Sequence, residues 1–254
     1  MEPERDAQFI REALHIVELG EEKGITLRLM GAIGVTLHCP QSSHLLRGME
    51  RSLTDIDLMS YARFNPKMKR FFVDLGYTPD ERIMALYGRD RHIYNHREKG
   101  WHVDVFFDQL KMCHTIDFRR RLELDHPTIT PTDILLEKLQ IVRINPKDVK
   151  DTIVLLREHP LGSGEKDSID APYISRLLSG DWGFCYTVTE NLKKLTQFLP
   201  EFKVLTEEDR ADVNRKIASL LTQIESVPKS MIWKLRSKVG PRKKWYNEVE
   251  EVER

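Results

Sequence analysis

The segment SLTDIDLMS, residues 52 to 60, constrains the fold more than any other stretch of this chain. Its apolar residues ask for a buried strand, yet Asp55 and Asp57 occupy alternate positions within it. Side chains of a strand alternate between faces, so the two carboxylates share one face while Ile56 and Leu58 share the other. Like charges held so close repel each other. A positive charge must offset that repulsion, and a bound divalent cation is the first candidate.

The flanking sequence supplies a setting for such a strand. Residues 4 to 23 place Phe9, Ile10, Ala13, Leu14, Val17 and Leu19 near the helical period, and an amphipathic helix ending at Gly24 is expected. TLRLM (26 to 30) reads as a short strand, and GAIGVTLH (31 to 38) follows at once. Its glycines let a strand turn sharply into a helix, whose free N–H groups suit phosphate. CPQSSHLLRGMER (39 to 51) has no clear period and reads as a loop. NPKMKRFFVDLGY is expected to be helical from Pro66 to Gly76. RIMALYG, RHIYNHRE and WHVDVFFD read as three strands of an antiparallel meander, the last with Asp104 on one face and Val103, Val105 and Phe107 on the other.

The pattern changes near residue 128. TPTD (130 to 133) is a capping box with Thr130 as N-cap, and NPKD (145 to 148) repeats the start signal with Asn145. After a loop at 160 to 168, helices are expected at 171 to 179, 182 to 198, 207 to 226 and 228 to 239.

Composition narrows the function classes. The 254 residues carry 40 Lys and Arg against 40 Asp and Glu, so contact with nucleic acid would come from local patches. The three cysteines are far apart and form no CxxC pair, which argues against a disulfide framework or a thiolate zinc site. No apolar run approaches a membrane span, and the N-terminus is too acidic for a signal peptide. A soluble cytoplasmic protein without a membrane partner is expected.

Taken together, MGA (30 to 32), DID (55 to 57) and VDV (103 to 105) resemble the signature of the nucleotidyltransferase superfamily that includes DNA polymerase beta. Within it, LLEKLQIVRINPKDVKDTIVLL (135 to 156) is similar to the Lys helix and the Lys/Arg-Asp-x-x-Asp helix of abortive-infection type nucleotidyltransferase toxins, through Lys138, Lys147, Asp148 and Asp151. The resemblance covers about residues 25 to 160. Two features depart from the pattern: Ala32 stands where family members have Gly or Ser, and the interval to Asp55 is long, as if residues 39 to 48 were an insertion.

The resemblance implies an α/β chain of the α+β kind, with a small mixed sheet and flanking helices followed by a C-terminal helical bundle. The expected divisions are a catalytic domain at 1–127, a helical domain at 128–240 and a charged, disordered tail at 241–254. Asp55, Asp57 and Asp104 would be the catalytic and metal-binding residues, holding two Mg²⁺ ions with the nucleoside triphosphate, and Asp104 would also deprotonate the acceptor. Gly31 and Ala32 would offer backbone N–H groups to phosphate, with Lys138 and Lys147 as further nucleotide contacts; apart from the resemblance, Arg51 just before the Asp strand reads equally as a phosphate contact or a loop charge. The implied reaction is Mg²⁺-dependent transfer of a nucleoside monophosphate to a hydroxyl of an RNA or tRNA end or of a small molecule, releasing pyrophosphate. A cognate antitoxin is the implied protein partner, and a catalytically inactive nucleotide sensor is the alternative.

Other residues have plainer readings beside the functional ones. Asp108 competes with Asp104 for the third position, and Asp148 and Asp151 suit the first turn of a helix by its dipole. His92, His96 and His102 read as hydrogen-bonded strand histidines, since their spacing matches no zinc motif. Residues 229 to 245 hold seven basic side chains and no acidic one, interleaved with Trp233 and Trp245. Such a stripe suits RNA, or else a final helix that docks Ile232, Trp233 and Leu235 into the core.

Overall fold

The structure is a computed structural model that describes residues 2–249. Its elements begin with α1 (Glu2–Glu22), β1 (Leu27–Met30), α2 (Gly31–His38), α3 (Ser43–Gly48), β2 (Ile56–Ser60), α4 (Asn65–Asp74), β3 (Thr78–Pro79) and α5 (Glu81–Tyr87). They continue with β4 (Arg91–His96), β5 (Trp101–Phe107), β6 (Gln109–Lys111), β7 (Thr115–Asp117), α6 (Pro131–Leu139) and α7 (Pro146–Glu158). The remainder is β8 (Leu161–Gly162), β9 (Ile169–Asp170), α8 (Ala171–Gly180), α9 (Trp182–Phe198), α10 (Glu207–Ser226) and α11 (Met231–Val239). The class is α+β, with a mixed sheet and C-terminal helices. No helix among the described residues is long and apolar enough to cross a membrane.

Packing groups the chain into two units that are interleaved in sequence rather than joined end to end. The first comprises the residues up to Leu37, Ser52–Lys111 and Ile116–Ile129; the second comprises His38–Arg51, Met112–Thr115 and the chain from Thr130.

The first unit is built on a five-stranded sheet of order β1-β2-β5-β4-β3. β2 runs antiparallel to β1 and parallel to β5, and β4 and β5 form an antiparallel pair. Alternation assigns each face. Leu27 and Leu29, Ile56 and Leu58, Val103, Val105 and Phe107, and Tyr94 join one core with Phe9, Ala13, Ile16 and Val17 of α1 and Met68, Phe71 and Phe72 of α4. The Tyr94 ring stacks on Phe72 with centroids 4.2 Å apart. Full burial of one such side chain contributes about 1.5–3 kcal/mol. Residues of the opposite parity, including Asp57 and Asp104, therefore lie on the other face of the sheet.

Several local expectations need correction. Residues 39 to 51 are not simply a loop, because Leu45 and Leu46 are buried on α3. Ser42 offers α3 no side-chain cap; the Glu158 carboxylate accepts hydrogen bonds from Gln41 N and Ser42 N at 3.2 and 2.8 Å instead. RIMALYG is helix α5 rather than a strand. Asp80 caps it by accepting from Ile83 N, and only Ile83 is buried on it, so a strand-like alternation had nothing to pack against. The third strand of the antiparallel part is the short β3, which pairs with β4. Asp55 stands one residue before β2 begins, not within it.

In the second unit Thr130 and Asn145 act as the expected N-caps, while the capping box with both hydrogen bonds present is that of Thr206 and Asp209 on α10. Thr130 accepts from Asp133 N at 3.2 Å, and Asn145 accepts from Asp148 N at 2.9 Å. α6 packs on α7 and α9, while α10 packs on α7, α8 and α9. α11 lies on α8 and α9 but does not dock Ile232 or Leu235, which are exposed. The first part of the charged tail is tied down, since Trp245 Nε1 donates to Thr187 Oγ1 at 3.0 Å and Asn247 N donates to Cys113 O at 3.0 Å. Residues 250–254 of the expected disordered tail lie outside the described residues.

Buried His114 gives this unit a pH dependence. Its Nε2 lies 2.8 Å from Thr187 Oγ1, and its ring stacks on Phe184 at 4.9 Å. Burial pushes its pKa down to about 4, against a smaller upward pull from Asp181. The unfolded chain takes up the proton near pH 6.5 and the folded one does not, so this contribution is complete above pH 6.5 and is lost as pH falls toward 4. Urea unfolding followed by tryptophan fluorescence should show a loss of up to about 3 kcal/mol across that window. His114→Gln should lessen the slope but not abolish it, because burial also pushes His92 and His159 down; an unchanged slope in the variant would assign the effect elsewhere.

Candidate functional site

The chain passes from β1 directly into α2 at Gly31, which has φ +65°. A Cβ at this position would overlap Asp57 Oδ2 and come within 3.2 Å of Asp57 Cγ. Glycine is thus required twice, for the left-handed backbone and for the close approach to a carboxylate. The sheet register explains the proximity: Met30 faces Asp57 across the β1–β2 pair, and Asp57 faces Asp104 across the parallel β2–β5 pair. The start of the eight-residue α2, with the positive end of its dipole, adjoins the same carboxylate.

In-register neighbours of one sheet lie about 5 Å apart. Two full charges at that spacing repel by about 3 kcal/mol at an effective dielectric near 20. Arg91 offsets this repulsion. Its Nη2 donates to Asp104 Oδ2 at 2.8 Å from the adjacent strand β4, and its guanidinium lies over the Phe106 ring, 5.2 Å from the centroid. Asp104 is 4% exposed. Asp55 is half-buried, and Thr54 Oγ1 donates to its Oδ1 at 2.9 Å. Ala32, in the first turn of α2, contributes its methyl group to the apolar core.

The competing acid, Asp108, has a structural task. It takes a left-handed backbone with φ 60°, and its carboxylate accepts from Ala62 N at 2.9 Å. The histidines are likewise occupied: His92 lies 2.8 Å from Tyr94 Oη and 2.9 Å from Gly88 O, and His102 pairs with Asn95. A groove of about 590 Å³ on α1 and the β4–β5 turn is lined by Arg5, Arg11, His15, Lys99 and Trp101. Trp101 and Asp104 have opposite parity on β5, which places that groove across the sheet from the carboxylates.

Among the described residues no group of three His, Cys, Asp or Glu side chains already stands in a metal-binding arrangement. The donors nevertheless fit Mg²⁺ in chemistry, because all three are carboxylates. Asp57 and Asp104 are direct sheet neighbours, while the Arg91 guanidinium beside Asp104 would compete with a cation there.

The remaining expected residues form a separate cluster in the second unit. Arg51 donates from Nε to Asp151 Oδ1 at 2.8 Å and from Nη2 to Asp151 Oδ2 at 2.9 Å. Lys138 Nζ is 3.2 Å from Asp151, 3.3 Å from Asp148 and 3.7 Å from Glu137. Burial opposes the Lys138 charge, but the carboxylates of Asp151, Glu137 and Asp148 outweigh it, so its pKa is raised and the ammonium stays charged. Lys147 is exposed in the first turn of α7 and makes no ion pair among the described residues. Arg91 and Glu158 are the residues that sequence reasoning missed. Each is visible only through a partner far along the chain, Arg91 through the β4–β5 register and Glu158 through the fold of residues 38 to 51.

No protein-family model matches this chain, and no curated protein matches it.

Two substitutions test this geometry. Gly31→Ala should cost at least about 1–2 kcal/mol for the left-handed backbone alone, with a further cost as Asp57 is displaced. An unchanged urea midpoint would contradict the close approach. Asp151→Asn removes the carboxylate shared by two buried cations, of which Lys138 keeps Asp148 and Glu137, and a loss of about 1–3 kcal/mol is expected in the same measurement.

Proposed function

We propose that the first unit is the catalytic part of a Mg²⁺-dependent nucleotidyltransferase. The observation that carries this reading is the approach of Gly31 to the Asp57 carboxylate at the start of α2, with Asp104 beside it in register. Asp55, Asp57 and Asp104 would hold Mg²⁺, which when bound neutralises the triphosphate and the leaving pyrophosphate. The backbone at Gly31 and Ala32 binds phosphate through its N–H groups. Asp104 takes the proton of the acceptor hydroxyl as that oxygen bonds to the α-phosphorus and the bond to pyrophosphate breaks. Arg91 positions Asp104 before substrate arrives and releases it when the site loads. Arg51 and Lys138 are committed to Asp151, so in this reading they brace α7 rather than meet phosphate. The acceptor is a hydroxyl on an RNA or tRNA end or on a small molecule.

One observation favours a second reading. Arg91 already neutralises Asp104, as would suit a nucleotide sensor that has no catalytic metal. The test is transfer of label from each α-labelled nucleoside triphosphate, with Mg²⁺, into total RNA and into a small-molecule extract. Wild type should label one pool, and the Asp55→Ala, Asp57→Ala double variant should label neither. Nucleotide binding without transfer in the wild type would favour the sensor and overturn the catalytic reading.

A further inference from the structure

Helix α11 is amphipathic with its apolar stripe turned to solvent. Met231, Ile232, Leu235 and Val239 are 73%, 78%, 60% and 44% exposed. At 3.6 residues per turn these four fall within about 100° of the helix circumference, a width typical of a face that is normally covered. Lys234 and Lys238 border one side of the stripe and Arg236 the other. The helix is anchored at its start and through Arg236 at the edge of the stripe. Ser230 caps the helix by accepting from Trp233 N at 3.1 Å, Arg236 donates to Gly240 O and Lys243 O at 2.7 Å, and its guanidinium lies 4.4 Å from the Trp182 ring centroid. The stripe is therefore held on a fixed platform rather than on a loose end.

We propose that α11 is the docking surface for an acidic amphipathic helix of a partner protein. The partner's aliphatic residues would cover Met231, Ile232, Leu235 and Val239, and its Glu or Asp residues would meet the lysines that border them. Charge complementarity selects this occupant, since the charged side chains of α11 are all basic, with Lys234 and Lys238 beside the stripe, while the later Lys244 is already paired with Glu248 at 2.7 Å. RNA fits less well, because the aromatics that could stack on bases are engaged within the fold. Trp245 Nε1 donates to Thr187, and the half-buried Trp233 ring lies beneath Lys229 Nζ, 5.8 Å from its centroid. A membrane surface is met best by a longer helix with aromatic residues in its apolar face, and this stripe has none. The proposal stands independently of the nucleotidyltransferase reading.

Fluorescence anisotropy of the full chain with three labelled helical peptides of equal length tests it. One is acidic and amphipathic, with Leu and Ile at heptad positions a and d and Glu elsewhere; the second scrambles that sequence; the third replaces Glu by Lys. Saturable binding of the first peptide about tenfold or more tighter than of the other two is expected. Ile232→Asn, Leu235→Asn should abolish that preference without changing the circular dichroism spectrum or urea midpoint, because both side chains are exposed. No binding of the acidic peptide, equal binding of the scrambled one, or no effect of the double variant would overturn the proposal. Binding to total tRNA or to phosphatidylserine vesicles, lost in the double variant while the acidic peptide shows no preference, would overturn it in favour of those surfaces.

Discussion

Two carboxylates in register on neighbouring strands, Asp57 and Asp104, set the terms for the first unit. Both faces of these strands are largely buried, so such a pair is tolerated only where neighbouring groups supply positive charge. Here that charge comes from Arg91 on β4 and from the start of α2 beside Asp57. Both depend on the strand order, because β2 and β5 must be parallel neighbours for the acids to meet and β4 must flank β5 for Arg91 to reach. Gly31 completes the arrangement, since no larger residue lets β1 turn into α2 this close to the carboxylate. The apolar face built on α1 and α4 holds the sheet that makes these placements possible.

The second unit solves a different charge problem by enclosure. Arg51 and Lys138 share Asp151, with Glu137 and Asp148 completing a cluster of two cations and three carboxylates. Such a cluster has one more carboxylate than cation and presents no surplus positive charge to an anion. Its structural effect is local: Arg51 at one end of the 38–51 segment and the Gln41–Ser42 amides near the other are both held by carboxylates of α7. The stretch that resembled an insertion in sequence is thus clamped to a helix about a hundred residues away, with Gly48 close against Val204.

Much of this was legible in the sequence because the signals were local. The capping residues Thr130 and Asn145, the 3.6 period of α1 and the alternation about Asp104 each act within a few residues. Asp57, Asp104 and Gly31 could be expected to converge from their strand and turn contexts. What escaped were long-range partners. The turn that leads into α3 is held by Glu158 through Gln41 N and Ser42 N, and Arg91 gains meaning only when β4 pairs with β5. Lys138 looked like a ligand for phosphate because its three carboxylate neighbours are distributed over two helices. RIMALYG misled because its apolar run was read as a strand, although Met84, Ala85 and Leu86 are good helix formers and only Ile83 is buried. On α11 the apolar period was visible, but periodicity alone cannot say whether such a face is turned inward or outward.

The central proposal is that the Asp57–Asp104 pair is a cation site for nucleotide chemistry. Calorimetric titration of Mg²⁺ into the protein with a non-hydrolysable nucleoside triphosphate analogue, after subtraction of the same titration into the analogue alone, addresses it most directly, comparing wild type with Asp57→Asn, Asp104→Asn and Arg91→Gln. The account predicts saturable binding that weakens about tenfold or more in each Asp variant and strengthens in Arg91→Gln, where the competing guanidinium is gone. Equal affinity in all four proteins, or no Mg²⁺ binding in any, would contradict it.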